Sequence, residues 1–279
     1  MSDWSLDLGG VRLSGIADEE AFTLPRGFLF PDSTSEMLRA AAALDAHACD
    51  VARDEVMLRI QVFLLEIGGR HVLVDAGVGD GKERPNRPSW HRRSTDFLAR
   101  LGVPPEDISL VLFTHLHPDH VGWATRRAGD RWVPTFPRAR HVVAEAEYAH
   151  AAAQRTAPLL DSIEPLREAG LLDLVEPGHA PLPGLRFRPL PGHTPAQQGV
   201  LIEAARQRVL LSADVLHHAL QLAFPEIVSA FCASPGQARA TRAALLEEAA
   251  SEGFGLVTAH AREWPLWRVT RAGAGYALT

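Results

Sequence analysis

In the stretch Ile108-Ser109-Leu110-Val111-Leu112-Phe113-Thr114-His115-Leu116-His117-Pro118-Asp119-His120, an apolar run of strand length passes without a break into four side chains able to ligate metal. Such a run suits a strand buried on both faces. In an extended segment, residues two apart point the same way, so His115 and His117 can face one ion together. Pro118 favours a turn, after which Asp119 and His120 project in a new direction. One short loop therefore offers two sets of ligands.

A metal site needs further donors, and three lie where other apolar runs end. His193, in Pro191-Gly192-His193-Thr194-Pro195, follows a strand pattern at 185–190. Asp214 closes the run 208–211, and His260 follows the run 256–258. Ligand sites in α/β sheets gather where strands end. Each of these alone reads as a turn or cap residue; together with the 114–120 segment they form a set.

The remaining chain divides into short strands and helices. Val11–Ala17 reads as a strand, and Ser33–Val56, rich in Ala and Leu, mostly as helix. Two apolar runs, Leu58–Leu65 and His71–Val74, flank Gly68-Gly69, a hairpin signal. A loop rich in Gly, Pro and charge then runs to Trp90, long enough to be a functional rim. Helices are expected at Ser94–Leu101, Glu145–Arg155 and Leu159–Glu168, and strands at Arg140–Ala144, Leu185–Arg188, Gly199–Glu203, Arg208–Leu211, Leu256–Thr258 and Trp267–Thr270. Ser234-Pro235-Gly236-Gln237 reads as a capped helix start, and Gly253 as its stop.

Bulk properties narrow the function. With 279 residues and 46% hydrophobic composition, the chain can bury a full core without disulfides. A formal net charge of −6 lacks the basic footprint of a nucleic-acid binder. Two cysteines, Cys49 and Cys232, fit a reduced, cytoplasmic setting. The N-terminal stretch has no basic region followed by an apolar run, and no stretch approaches 18 apolar residues, so neither a signal peptide nor a membrane span is expected. A small-molecule substrate is expected, with no nucleic acid and no membrane as partner; a homodimer is left open.

The ordered set His115-x-His117-x-Asp119-His120, His193, Asp214, His260 resembles the metallo-β-lactamase superfamily, and Val74-Asp75-Ala76-Gly77 resembles its early strand-end aspartate, which orients the ligand loop. The resemblance covers roughly residues 55–265. It implies an α+β fold of the αββα sandwich type: two mixed β-sheets packed face to face, with helices on the outer faces. It also implies one domain over 1–279 made of two pseudo-repeated halves, roughly 1–150 and 151–279. By the resemblance, His115, His117 and His193 hold one ion, Asp119, His120 and His260 a second, and Asp214 bridges them. Imidazole and carboxylate donors without thiolate suit Zn2+, with Mn2+ or Fe2+ as alternatives.

Departures narrow the branch. Common β-lactamases carry cysteine where this chain has Asp214, and flavo-diiron relatives carry glutamate where it has His117. The pattern is similar to the methyl-parathion-hydrolase, lactonase and glyoxalase II groups. Acyl-homoserine lactonases often place tyrosine three residues after the bridging aspartate; here that residue is His217, and Gln221, Phe224 and Pro225 lean toward the methyl-parathion-hydrolase group. The implied activity is cleavage of a lactone, carboxylic ester, thioester or phosphotriester by a metal-bridging hydroxide. Asp119 would handle a proton and His217 would stabilise the polarised oxygen or leaving group. The alternatives are a single-iron dioxygenase on the same fold, or a metal-dependent nuclease. His179 reads as a loop residue, and His47, His141 and His150 as structural or exposed. Cys232 reads as an inert buried thiol, and Trp123 as either lining a pocket or packing.

Overall fold

The computed structural model describes residues 3–263 and 265–279. Met1 and Ser2, which begin the stretch read for a leader, and Trp264 lie outside it. The chain folds as two compact units: the segment ending at Asp18 with Ile60–Pro177, and Glu19–Arg59 with Gly178–Thr279. Strands Val11–Pro25 and Glu55–Ile67 carry the chain across the boundaries at Asp18 and Arg59. Among the described residues, no helix is long and apolar enough to cross a membrane.

The first unit is built on a mixed sheet ordered Trp4–Asp7, Val11–Pro25, Glu55–Ile67, Arg70–Val74, Ile108–Leu112, Arg140–Ala144, Leu172–Val175. The last four run parallel. Glu55–Ile67 and Arg70–Val74 form the expected hairpin, and both Gly68 and Gly69 take positive φ, the requirement of a two-residue primed turn. The inner strands are apolar on both faces, so Val111 and Phe113 meet Phe97, Trp123, Ile163 and Leu166 in one core.

The second unit has a sheet ordered Leu185–Pro189, Gln198–Glu203, Arg208–Leu211, Gly255–Val257, with only the last pair parallel. Helix Pro235–Glu252 lays Leu245, Leu246 and Ala249 against Leu210, Phe254 and Leu256. It ends at Gly253 in the left-handed conformation, as the sequence predicts. The expected side-chain cap from Ser234 is not made; its backbone N–H donates instead to the Gly192 carbonyl.

The expected helix over Ser33–Val56 is the largest correction. Only Ser35–Ala42 is α-helical; a 3-10 turn at Ala46–Ala48 and a short strand, Cys49–Asp50, follow. Asp45 accepts the His47 N–H, Asp50 accepts the Arg53 N–H, and Asp54 takes φ +55. These short acidic side chains give the backbone turn bonds in place of helical ones. The Ser94–Leu101 helix shrinks to Phe97–Arg100, and the Leu159–Glu168 helix opens with a π-turn ahead of Pro165, which has no N–H to continue the ladder. The strands Trp4–Asp7, Leu172–Val175 and Gly275–Leu278, and the hairpin Thr125–Ala128/Arg131–Pro134, lack the apolar run that marks a strand in sequence.

The long loop after Gly77 is pinned from inside the first unit. Fully buried Lys82 donates from Nζ to Thr125 Oγ1 (2.7 Å), Ser162 Oγ (3.0 Å) and the Asp161 carbonyl (3.0 Å), and sits 3.8 Å over the Trp132 ring. Burial pushes its ammonium down to about 7, against the pull of Asp161. The unfolded chain keeps that proton up to the ordinary lysine range, so between these limits it binds more protons than the folded chain. Stability therefore rises with pH across that window, and Lys82 adds no slope below about pH 7. Denaturant unfolding of wild type against Lys82→Met at pH 7.5 to 9.5 should show a difference growing by up to about 1.4 kcal/mol per pH unit. Parallel curves would assign the proton elsewhere.

Candidate metal centre

In the first unit, strand Ile108–Leu112 delivers the chain to Thr114, where Asp75 takes over. Asp75 accepts the Thr114 N–H at Oδ1 (2.8 Å) and the Thr114 hydroxyl at Oδ2 (2.9 Å). The same Oδ2 lies 2.8 Å from Nδ1 of His120, and the Thr114 Oγ1 lies 3.0 Å from Nδ1 of His115. With the Thr114 proton given to Asp75, its oxygen accepts from His115; both imidazoles then carry their proton on Nδ1 and present Nε2 as a lone-pair donor. Asp75 itself holds φ +60.

Pro118 begins the one-turn helix Pro118–Val121. The turn brings the His115 ring within 4.0 Å of His120 and 4.7 Å of His117, centroid to centroid, and Asp119 Oδ2 within 3.7 Å of His120 Nε2. Gly122 is obligatory here: a Cβ would stand 1.8 Å from the Val78 carbonyl oxygen. All four expected ligands of this unit are thus gathered. Asp18, which the sequence did not single out, supports them. Its carboxylate accepts the Val78 N–H (2.6 Å) and the Trp123 indole N–H (2.9 Å), and pairs with Arg93. Trp123 is buried and stacked on Phe97, which settles its role as packing.

In the second unit, Asp214 sits on the 3-10 turn Ala213–Val215, at the end of strand Arg208–Leu211. Three imidazoles close on its carboxylate: Nε2 of His193 at 3.2 Å and of His217 at 3.3 Å from Oδ2, and Nε2 of His260 at 3.2 Å from Oδ1. The Nδ1 of His260 is bonded to the Arg59 carbonyl at 2.9 Å. The Nδ1 of His193 faces the Cys232 sulfur at 3.7 Å. Gly192 (φ +133) lets the start of helix Pro235–Glu252 approach, since a Cβ would meet the Ala238 backbone at 2.4 Å. The Ala233 N–H then donates to the His193 carbonyl.

The neighbouring histidine differs in kind. His218 Nε2 bonds the Ala48 carbonyl (2.8 Å), and its Nδ1 accepts the Leu220 N–H (3.0 Å), so both nitrogens are spent; burial pushes it down to about 4. His217 is lowered as well, burial outweighing the pull of Asp214. Burial pushes Cys232 up to about 11, so it remains a thiol, consistent with its expected inertness. His141 is buried away from either group, stacked on Phe113.

Sequence reasoning missed Gln197 and Arg242, and noted Gln221 only as a mark of resemblance, without a role. Gln197 Oε1 accepts the Asp214 N–H (3.3 Å), and Gln221 Oε1 accepts the His217 N–H (2.8 Å). Arg242, fully buried, donates to the carbonyls of Val215, Pro225 and Ile227. The donors suit a divalent ion on two grounds: imidazole and carboxylate without thiolate, and Nδ1 atoms already committed to protein partners.

Comparison with known proteins agrees. The sequence pattern of the family described as the metallo-beta-lactamase superfamily matches residues 58–260. An N-acyl homoserine lactonase of Bacillus sp is 30% identical over 177 residues, covering 56% of this chain and 64% of that protein. One of Bacillus cereus is 28% identical over 169 residues, covering 55% and 62%. The chain thus matches less than two thirds of the length of these relatives. Among solved structures, AidC, a dizinc quorum-quenching lactonase in complex with a product, is similar with a TM-score of 0.81 at 18% identity, over 100% of this chain and 97% of that one. The hydrolase AbOPH is similar with a TM-score of 0.82 at 22% identity, over 99% and 96%.

Proposed function

Since the chain belongs to the metallo-β-lactamase superfamily and has its α+β sandwich fold class, we propose that it is a metal-dependent hydrolase that opens a lactone or related ester. The observation that carries this reading is the state of the imidazoles. His115, His120, His193 and His260 each have Nδ1 against a protein partner, so each offers Nε2 to an ion. We assign His115, His117 and His193 to one ion, Asp119, His120 and His260 to a second, and Asp214 to both, within one domain. The substrate class follows the lactonase relatives. Two buried thiols suit a reducing, cytoplasmic setting.

When bound, a pair of divalent cations, Zn2+ in this reading, lowers the pKa of a water and polarises the carbonyl. The chain's own part is orientation and proton handling. Asp75, Thr114 and the Arg59 carbonyl hold the imidazole rings in one tautomer. Asp119, the more exposed carboxylate, takes the proton from the attacking water and returns it to the alkoxide as the ring C–O bond breaks, leaving a hydroxy acid.

Protein purified without chelator should carry close to two metal ions per chain. Zinc-loaded protein should open N-acyl homoserine lactones faster than it cleaves aryl esters or phosphotriesters. A maximum of one ion under metal excess ends the two-ion assignment. One iron per chain with oxygen consumption replaces hydrolysis with the dioxygenase reading.

A further inference from the structure

We propose that Asp214, His217 and His260 form a three-donor site for one divalent transition-metal ion, and that this site loads without the histidines of the 114–120 loop. The sequence places His217 at a substrate oxygen; the geometry directs it to the metal. The inference rests on the metal-binding part of the proposed function and is independent of the substrate.

One donor atom from each of the three residues lies within 4.8 Å of the others. The imidazoles of His217 and His260 are nearly parallel, 12° apart, with each Nε2 turned to the same carboxylate. In a tetrahedral site with bonds of about 2.0–2.1 Å, donors stand about 3.3–3.4 Å apart. Nε2 of His217 and Nε2 of His260 each stand 3.3 Å from Asp214 Oδ2, the edge length of such a polyhedron.

His260 Nε2 makes a hydrogen bond to Asp214 Oδ2 at 3.3 Å, but His217 is differently placed. The approach of His217 to Asp214 does not meet hydrogen-bond geometry, and neither ring nitrogen of His217 has a hydrogen-bond partner among the described residues. His217 is buried, and a buried polar atom left unsatisfied is costly; an ion beside Nε2 removes that cost for one nitrogen. The ring is also held in place. Its backbone N–H is bonded to Gln221, whose amide is bonded to the Ile227 carbonyl, and His218 next to it is locked to Ala48. His260, with Nδ1 on the Arg59 carbonyl, has only Nε2 to offer. Two imidazoles and one carboxylate with an open position make a donor set that binds zinc in hydrolytic sites.

The test is a Co2+ titration of full-length apoprotein carrying His115→Ala, His117→Ala and His120→Ala. One Co2+ per chain should bind with visible ligand-field bands, and adding His217→Ala should weaken that binding by about 100-fold or more. In the wild-type background, Co2+-loaded protein should lose one hyperfine-shifted imidazole signal on His217→Gln, a readout that stands if the triple variant fails to fold. A folded triple variant that binds no Co2+ overturns the proposal. So does a His217→Gln protein with every shifted signal retained, or a His217→Ala protein that keeps its Co2+ affinity and loses only turnover. Failure to hydrolyse any ester would leave these metal readouts untouched.

Discussion

Replacing Asp214 with alanine should reduce turnover by about 10³-fold or more and strip the protein of metal, with circular dichroism unchanged. The size of the effect follows from how many groups the carboxylate serves. The Nε2 atoms of His193, His217 and His260 all lie within 3.3 Å of its oxygens, so a single truncation removes the group common to three imidazoles. The fold does not depend on that carboxylate. The turn is held by bonds from its backbone N–H groups, Ser212 to the Val257 carbonyl and Asp214 to the Gln197 side-chain Oε1, which alanine retains. His193→Ala should lose activity for the same reason, at one ion rather than two. Metal content and kinetics measured on the same samples decide the matter. If the alanine protein at position 214 keeps its ions and stays within tenfold of wild-type turnover, the ligand assignment is wrong.

Arg242→Met should cost about 3 kcal/mol of stability, with a loss of roughly 10 °C in Tm. Methionine keeps an apolar stem at this buried position of helix Pro235–Glu252 but removes the guanidinium. The carbonyls of Val215, Pro225 and Ile227 then stay buried without their donor. These carbonyls bracket the segment that carries His217 and begin one residue after Asp214, so the variant should also hold metal more weakly. Differential scanning calorimetry of the apo and zinc-loaded forms measures both effects. A Tm within 2 °C of wild type would mean that water satisfies those carbonyls as well as the arginine does.

The proposed ligands were legible because each follows a strand pattern, and no other local role gathers histidine at three such ends and aspartate at a fourth. His115 to His120, His193, Asp214 and His260 all fall just past runs whose strands form as expected. Asp75 was legible through the resemblance and is confirmed by its bonds to Thr114 and His120. The supporting residues were not legible. Asp18 acts on Trp123 from 105 positions away, and Arg242 on Val215 from 27, and nothing local marks either. Lys82 looked like part of a charged loop, because its burial depends on Trp132 and Ser162, which only the fold supplies. The Ser33–Val56 difference has a local cause: alanine and leucine content masks Asp45 and Asp50, whose carboxylates open turns, and Asp54, which takes φ +55.

His260 is held by Arg59, 201 positions earlier in the chain. During synthesis, all residues of the first unit exist once Pro177 has been made, and that unit can fold from contacts already present. Glu19–Arg59 must wait for the remaining stretch up to Thr279, on the order of 5–20 s at ordinary ribosomal rates. Until Ile227 has been made, Leu24, Leu29, Phe30 and Leu38 lack the later partners Leu220 and Ile227 of their cluster. A nascent chain with such an exposed apolar segment is a natural client for holding chaperones, and premature termination between Pro177 and Leu220 should yield a folded half bearing an aggregation-prone arm.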